Sequence, residues 1–140
     1  MTENALKSAR WFLCCWEDNI VGITSCIYDF VYFKLFKDGK KVWRGHRTVI
    51  LPDYQGIGMG NAMVKMMAQL VNSWDCHYIG ATSHPSLIKY RLKRPKEWKC
   101  LTKLNDGLKI RRTRTALNMK SYVGTAVSFL YVGEDMGKIL

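Results

Sequence analysis

Three glycines at alternate positions, Gly56, Gly58 and Gly60, precede the most regular helical pattern of the chain in the run LPDYQGIGMGNAMVKMMAQLV. Glycine accepts positive φ angles and lets the backbone approach a ligand closely. The first turn of a helix has unpaired N–H groups and a partial positive charge. The run therefore predicts a strand-to-helix turn that binds phosphate, and the alternative is a tight turn without a ligand.

The segment from Gly58 to Trp74 is predicted to be an amphipathic helix. Its apolar residues follow the i, i+3, i+4, i+7 spacing of one helix face: Met59, Ala62, Met63, Met66, Met67, Leu70 and Val71. A methionine stripe of this kind is typical of adaptable core packing rather than of a specialised binding surface.

Strand patterns occupy the chain before this helix. Arg10–Trp16 and Ile20–Phe30 are separated by the turn residues EDN, which predicts a hairpin. The segment from Trp43 to Leu51 is β-branched and ends at Pro52, which cannot continue a sheet ladder. Three consecutive antiparallel strands are the simplest arrangement of these segments.

The chain after the helix is predicted to complete a mixed sheet. His77–Ala81 is a short strand, and a strand–helix–strand passage implies a parallel pair. Ser83–Tyr90 is a second, shorter helix, with Ser83 as its cap and Pro85 in its first turn. Two further strands, Arg111–Asn118 and Tyr122–Val132, follow a basic loop from Lys93 to Lys109. The predicted fold is α+β, in a single domain over residues 1–140.

The cysteines and the apolar content limit the class of protein. Five cysteines, an odd number without a C-x-x-C pair, fit neither a disulfide framework nor a zinc site. Cys76 and His77 are neighbours on a strand and point to opposite faces, so no metal site is predicted. No apolar run approaches a membrane span and no secretion signal is evident, so we expect a cytoplasmic protein.

The positive charge is concentrated in one segment. The chain carries a net charge of +11, and residues Lys89 to Lys120 hold twelve Lys and Arg against Glu97 and Asp106, which is +10. Tyr90, Trp98 and Tyr122 are interleaved with these cations. Clustered cations with exposed aromatic rings fit an acidic macromolecule, either RNA or an acidic protein. The alternative is a solvated basic face.

The glycine turn is not one of the common nucleotide motifs. No Gly-Lys-Ser/Thr follows it, which excludes a P-loop, and its spacing is G-x-G-x-G rather than G-x-G-x-x-G. It also follows antiparallel strands rather than the first strand of a parallel unit.

The run VILPDYQGIGMGNAM resembles motif A of the GNAT superfamily of acyl-CoA-dependent N-acetyltransferases, whose signature is Q/R-x-x-G-x-G/A. Gln55, Gly58 and Gly60 occupy the signature positions. Ser83 lies where the family often has an asparagine, and Tyr90 follows seven residues later. The sequence around the motif, including TSHP and SFLYVG, is similar to that of short GNAT-like domains found alone or fused to ABC-type ATPases.

The resemblance implies a splayed parallel strand pair with acetyl-CoA between the two strands, and no metal. Backbone groups of Thr48, Val49 and Ile50 would pair with the pantetheine arm. The remaining expected cofactor contacts are Gln55, Gly56, Ile57, Gly58, Met59, Gly60, Asn61 and Ser83. An amine would attack the thioester directly, so that catalysis consists of positioning and proton transfer.

The resemblance also implies the catalytic residues. Tyr90 is expected to protonate the leaving thiolate of CoA; otherwise it is a half-buried helix tyrosine. The family's frequent glutamate base is absent from the third and fourth strands, and His46 and His84 are alternative bases. A packing role for His46 is equally consistent with the sequence.

Two departures from the family leave the function open. About nine residues precede Arg10, so the helices that usually grip the acceptor are expected to be reduced. An open site would suit a macromolecular acceptor, such as a protein or RNA amine, or a second copy would cover it in a homodimer. The protein is therefore expected to be an N-acetyltransferase, or alternatively a catalytically silent CoA- or RNA-binding module. A DNA-binding regulator is less favoured because no helix-turn-helix pattern occurs.

Overall fold

A computed structural model of the chain describes residues 8–101 and 126–134. Its elements in chain order are β1 (Arg10–Trp16), β2 (Asn19–Tyr28), α1 (Phe30–Phe36), β3 (Val42–Ile50), a 3₁₀ turn (Pro52–Tyr54), α2 (Met59–Ser73), β4 (His77–Thr82), α3 (Pro85–Leu92), β5 (Trp98–Cys100) and β6 (Val127–Tyr131). The strands over these residues form a mostly antiparallel sheet with one parallel pair, in the order β1-β2-β3-β4-β6-β5. The predicted α+β class is confirmed.

The chain divides into two compact units between Tyr78 and Ile79. The described part of the first unit comprises residues 8–78, and that of the second comprises residues 79–101 and 126–134. A single domain over residues 1–140 remains a prediction. None of the described helices is long and apolar enough to pass through a lipid bilayer.

The first unit contains the predicted antiparallel strands. β1 pairs with β2 from Arg10 opposite Cys26 to Trp16 opposite Asn19, and β2 pairs with β3. The second predicted strand is two residues shorter at its end than expected, because Asp29 leaves the strand and caps α1. The Asp29 carboxylate accepts a hydrogen bond from the Tyr32 N–H at 3.0 Å. Helix α1 was not predicted.

Helix α2 supplies the core of the first unit, as its methionine stripe predicts. Met63, Met67 and Val71 are buried, whereas Met66 on the margin of the stripe is exposed. Gly58 and Trp74, predicted to be inside the helix, are its caps. The stripe therefore packs on the sheet with the period of one helix face.

The second unit differs from the predictions at two points. Helix α3 begins at Pro85 and its cap is His84, without a side-chain hydrogen bond, so Ser83 as the cap was wrong. A proline at the first helical position already has the required φ and needs no N–H partner. Within the predicted basic loop, residues Trp98–Cys100 form β5, which pairs with β6.

The last predicted strands fall only partly on described residues. β6 covers Val127–Tyr131 and pairs antiparallel with β4, from Ile79 opposite Leu130 to Thr82 opposite Val127. The strand predicted at Arg111–Asn118, the basic residues from Lys103 to Lys120, and Tyr122 lie outside the described residues.

Candidate functional site

The glycine turn before α2 has two residues in the left-handed region. Gly56 has φ 80° and Gly58 has φ 81°, and a Cβ built at either position would meet no atom within 4 Å. A side chain at these positions is therefore disfavoured by the backbone conformation and not by crowding. The space beside both Cα atoms is open, as a ligand-binding turn requires.

Gly60 differs from the other two glycines. It lies inside α2, and a Cβ there would be 3.8 Å from Cγ1 of Ile50, an ordinary contact. The sequence pattern treated the three glycines as equivalent, whereas the backbone conformation calls for glycine at Gly56 and Gly58 only. A small side chain at position 60 is therefore compatible with the backbone and with its neighbours.

The first turn of α2 presents backbone N–H groups. Its first intrahelical hydrogen bond runs from the Ala62 N–H to the Gly58 carbonyl at 3.1 Å, and Gly58 provides no side-chain cap. Helix geometry therefore leaves the N–H groups of Met59, Gly60 and Asn61 without intrahelical acceptors. Together with the helix dipole, these donors fit an anion of the size of a phosphate.

Gln55 closes the turn against the end of β3. Its side-chain Nε2 donates to the Ile50 carbonyl at 2.7 Å, and its backbone N–H donates to Pro52 at 3.3 Å. The Leu51 N–H donates to the Val21 carbonyl on β2 at 2.9 Å. Because a strand's backbone groups alternate between its two edges, the N–H and C=O of Ile50 point away from β2. The resemblance assigned that carbonyl to the pantetheine arm, and here Gln55 occupies it.

The other two expected pantetheine contacts also lie at the end of β3. Thr48 is opposite Thr24 on β2, and the two hydroxyl groups are 2.8 Å apart. This bond holds the Thr48 side chain. By the same alternation as at Ile50, the backbone N–H and C=O of Thr48 point to the edge of β3 away from β2. The Val49 side chain is exposed. The predicted opening between β3 and β4 remains a prediction.

Tyr90, the expected acid, lies on α3 in the second unit and is half-buried. The Arg94 guanidinium lies over its ring, 3.7 Å from the ring centroid, and Arg94 Nη1 donates to the Tyr90 carbonyl at 3.1 Å. Only the i, i+4 spacing of the two residues indicates this contact from the sequence. One face of the Tyr90 ring is thus covered by a cation.

The two candidate bases are placed on different units. His46 is half-buried on β3 in the first unit, and His84 is exposed at the N-terminus of α3 in the second. The His84 N–H donates to the Thr82 hydroxyl at 3.1 Å, which fixes the backbone before α3. Ser83, which lies between Thr82 and His84 in the chain, is exposed. The choice between the two histidines remains open.

Two residues assigned to the basic surface are buried instead. Arg91 is 4% exposed and its guanidinium stacks on Trp98, also 4% exposed, at 4.4 Å from the ring centroid. A Cβ at Gly80 would lie 2.5 Å from Arg91 Nη1, so β4 needs a glycine where the arginine passes. Trp98 as an exposed stacking platform was therefore wrong, because the ring packs in the core of the second unit.

A polar cluster in the first unit was missed by the sequence analysis. The Asp38 carboxylate is 2.5 Å from His77 Nε2, and Lys40 Nζ is 3.0 Å from the Asp75 carboxylate. Hydrogen bonds from His77 and from the Lys40 N–H lower the pKa of Asp38. These contacts join the turn before β3 to the start of β4.

Among the described residues, no group of three His, Cys, Asp or Glu side chains is arranged to bind a metal ion.

Comparisons with known proteins agree with the resemblance. The family model for the acetyltransferase (GNAT) family matches residues 2–91, which is more than half of the chain. The chain belongs to the GNAT acetyltransferase family. The match includes the glycine turn, α2, Ser83, His84 and Tyr90. A search of curated proteins finds no match.

Solved structures show the same fold at low sequence identity. An IAA acetyltransferase from Bacillus cereus has a TM-score of 0.52 at 8% identity, with 70% of this chain and 60% of that chain covered. A GNAT family acetyltransferase from Elizabethkingia anophelis with acetyl-CoA bound has a TM-score of 0.52 at 13% identity, covering 75% of this chain and 67% of that one. The chain thus spans about three fifths to two thirds of the length of these two structures.

Proposed function

We propose that the protein transfers an acetyl group from acetyl-CoA to an amine of a macromolecule. The observation that carries this proposal is the open glycine turn at the N-terminus of α2, with Gly56 and Gly58 at positive φ and no atom near their missing side chains. Membership of the GNAT acetyltransferase family supports acetyl-CoA as the donor. When bound, acetyl-CoA supplies a thioester whose carbonyl carbon is open to attack by an amine.

The turn and the first residues of α2 would hold the diphosphate. Helix geometry leaves the N–H groups of Met59, Gly60 and Asn61 without intrahelical acceptors, and an anion bound to them would also interact favourably with the helix dipole. Gly56 and Gly58 let their own backbone approach that anion. Each charge-assisted hydrogen bond of this kind stabilises binding by about 1.5–3 kcal/mol.

The edge of β3 that faces away from β2 would orient the pantetheine arm. The backbone groups of Thr48 and Ile50 point to this edge, and the Gln55 amide already donates to the Ile50 carbonyl. An amide group of the arm that took this carbonyl would have to displace Gln55. The displaced side chain would then be free to donate to the diphosphate beside it, which gives Gln55 a role in coupling the two contacts.

Proton transfer needs one donor and one acceptor. As the carbon–sulfur bond breaks, the Tyr90 hydroxyl would donate its proton to the leaving sulfur, and the attacking nitrogen would lose a proton to His46, His84 or solvent. General acid–base catalysis of this kind contributes typically about 10²–10⁴-fold to a rate. The contact of Arg94 with the Tyr90 ring would hold the phenol in place.

A macromolecular acceptor is supported by the charge distribution. Residues Lys89 to Lys120 carry +10 of the net charge of +11. The exposed residues Lys89, Lys93 and Arg94 lie on both sides of Tyr90 in sequence, so an acidic acceptor drawn to them would approach the proposed acid.

Thermal denaturation with acetyl-CoA tests the donor. A ligand at 100 times its Kd raises the free energy of unfolding by about 2.7 kcal/mol. The expected result is a higher Tm with acetyl-CoA and with CoA, and no change with acetate. An unchanged Tm at millimolar acetyl-CoA would contradict the proposal.

Turnover is a separate measurement. Cys15 is an exposed thiol, so reagents that detect free CoA would also label the protein. We therefore follow the acceptor by mass spectrometry, with acetyl-CoA labelled in its acetyl group and a cell extract as the source of acceptors. A labelled protein or RNA amine is expected. Binding without any labelled product would favour the alternative, a silent CoA-binding module.

A further inference from the structure

We propose that an exposed cationic surface of the second unit binds the phosphate backbone of nucleic acid without reading its bases. This surface, called here the α3–β5 surface, is formed by Lys89, Lys93, Arg94, Lys96 and Lys99, all of which are exposed. The inference does not rest on acetyl transfer, and the lysines that its test changes are assigned neither to the glycine turn nor to proton transfer.

The cations of the α3–β5 surface have no acidic partners in the described part of the chain. Within residues 8–101 and 126–134, none of its four lysines takes part in an ion pair. Two cations of the first unit do have acidic partners, since Lys40 lies 3.0 Å from Asp75 and Arg44 lies 3.8 Å from Asp29. The surface therefore carries positive charge that is not neutralised by these residues.

The local acidic content is too low to change this balance. The described residues of the second unit include only two carboxylates, Glu97 and Glu134, and Glu97 is half-buried. The lysines also lie close together along the chain. Lys89 and Lys93 are one helical turn apart at the end of α3, and Lys96 and Lys99 lie on either side of the first residue of β5. The result is a continuous run of charge along one short segment.

The kind of partner follows from what is buried beneath the surface. Protein–protein interfaces are enriched in aromatic residues and arginine and depleted in lysine. Here the aromatic residue Trp98 and the guanidinium of Arg91 are packed inside, and the exposed residues are four lysines and one arginine. Protein–nucleic acid interfaces are strongly positive and polar, so this composition favours a nucleic acid over an acidic protein.

The burial of Trp98 also predicts the mode of binding. A buried ring cannot stack on a base, and the Tyr90 ring is covered on one face by Arg94. Lysine ammonium groups contact phosphates as point charges without a fixed geometry. The binding is therefore expected to depend on phosphates and on salt, and to be insensitive to base sequence and to the sugar.

Fluorescence anisotropy with a labelled 20-nucleotide single strand, without acetyl-CoA, tests the proposal. Each phosphate contact on a single strand contributes about 0.7 to the slope of log K against log salt. Five contacts give a slope of roughly −3.5, so affinity should fall about 100-fold between 50 and 200 mM salt. RNA and DNA of the same sequence should bind within about threefold of each other.

Two triple variants with the same change of net charge distinguish an effect of the α3–β5 surface on nucleic-acid binding from an effect of the protein's net charge. The first variant combines Lys93→Glu, Lys96→Glu and Lys99→Glu. It should weaken nucleic-acid binding at least tenfold and reduce the slope of log K against log salt by about 2. The control variant combines Lys34→Glu, Lys37→Glu and Lys41→Glu, which change exposed lysines of the first unit. It should change the affinity for the nucleic acid by less than threefold. Circular dichroism and Tm verify that both variants fold.

Four results would overturn the proposal. They are no RNA binding at 50 mM salt, equal loss in the two triple variants, unchanged binding in the first variant, and polyglutamate of equal charge binding as tightly as RNA. The last would indicate an acidic protein as the partner. The corresponding Lys→Gln triple variant, which removes charge without reversing it, should give a smaller loss with the same reduction in slope.

Discussion

The guanidinium of Arg94 lies 3.7 Å from the centroid of the Tyr90 ring and also donates to the Tyr90 carbonyl at 3.1 Å. The two contacts hold the last turn of α3 to the residues that follow it. An exposed cation–π pair is worth about 0.5–1 kcal/mol, and it uses the ring rather than the hydroxyl. Neither contact with Arg94 therefore involves the phenol oxygen of Tyr90.

Replacing Tyr90 by phenylalanine separates these two roles. Tyr90→Phe keeps the ring beneath Arg94, so its Tm should stay within about a degree of the wild type. If the hydroxyl protonates the leaving thiolate, kcat should fall about 10²–10⁴-fold with little change in KM for acetyl-CoA. Steady-state kinetics on the labelled acceptor measure both constants.

A matched control for this change is Tyr32→Phe. Tyr32 is a half-buried tyrosine on α1 that packs against Phe36, with ring centroids 5.6 Å apart. Its loss of a hydroxyl should leave kcat unchanged. Full turnover in Tyr90→Phe would remove this residue as the acid.

Alanine at Gly58 should weaken acetyl-CoA binding more than it destabilises the fold. An alanine at positive φ costs about 1–2 kcal/mol, which lowers the Tm by a few degrees. The added Cβ would meet no protein atom but would enter the space beside the first turn of α2. We expect the Kd for acetyl-CoA, measured by calorimetry, to rise at least tenfold.

Gly39 provides the comparison, since it has φ 75° and equally open surroundings in a turn before β3. Gly39→Ala should lower the Tm by a similar amount and leave the Kd unchanged. Equal effects of the two substitutions on binding would mean that the glycine turn acts only through stability.

The approximate positions of β1 to β4 and of the two main helices could be predicted from the sequence, because turn residues, prolines or glycines bound these segments. Pro52 ends β3, and the glycine turn marks the start of α2. Helix α1 was missed because its sequence, FVYFKLF, is aromatic and β-branched and continues the strand pattern of β2. Only the cap at Asp29 distinguishes it, and one aspartate is a weak signal.

Burial within the basic segment could not be predicted for a different reason. A count of charges treats every arginine as exposed, whereas Arg91 is covered by Trp98 and Phe129 and passes over Gly80. Such a site depends on residues from four elements, α3, β4, β5 and β6, that meet only in the fold. β5 was missed for the same reason, since three residues are too few to show a period.

The methionine stripe of α2 gives a test of core packing. Met67 is 2% exposed and its sulfur is 3.9 Å from the Thr24 hydroxyl oxygen, whereas Met66 is 58% exposed. Met67→Ala should lower the free energy of unfolding by about 2–5 kcal/mol, because it removes buried methylene groups and leaves a cavity. Met66→Ala should change it by less than about 0.5 kcal/mol. Urea denaturation measures both, and similar losses would contradict the assignment of the stripe to the core.

The Asp38–His77 pair predicts how stability depends on acid. Hydrogen bonds from His77 and from the Lys40 N–H lower the pKa of Asp38 from its ordinary value of 3.8. A carboxyl whose pKa is lower in the folded state stabilises the fold above its ordinary pKa, and this contribution is lost as the pH falls through the lowered value. The difference in unfolding free energy between wild type and Asp38→Ala should therefore be fully present above pH 3.8 and should shrink as the pH falls below it. NMR titration of the Asp38 carboxyl carbon should give a midpoint below 3.8 that rises in His77→Gln, and an unchanged midpoint would show that His77 is not its main partner.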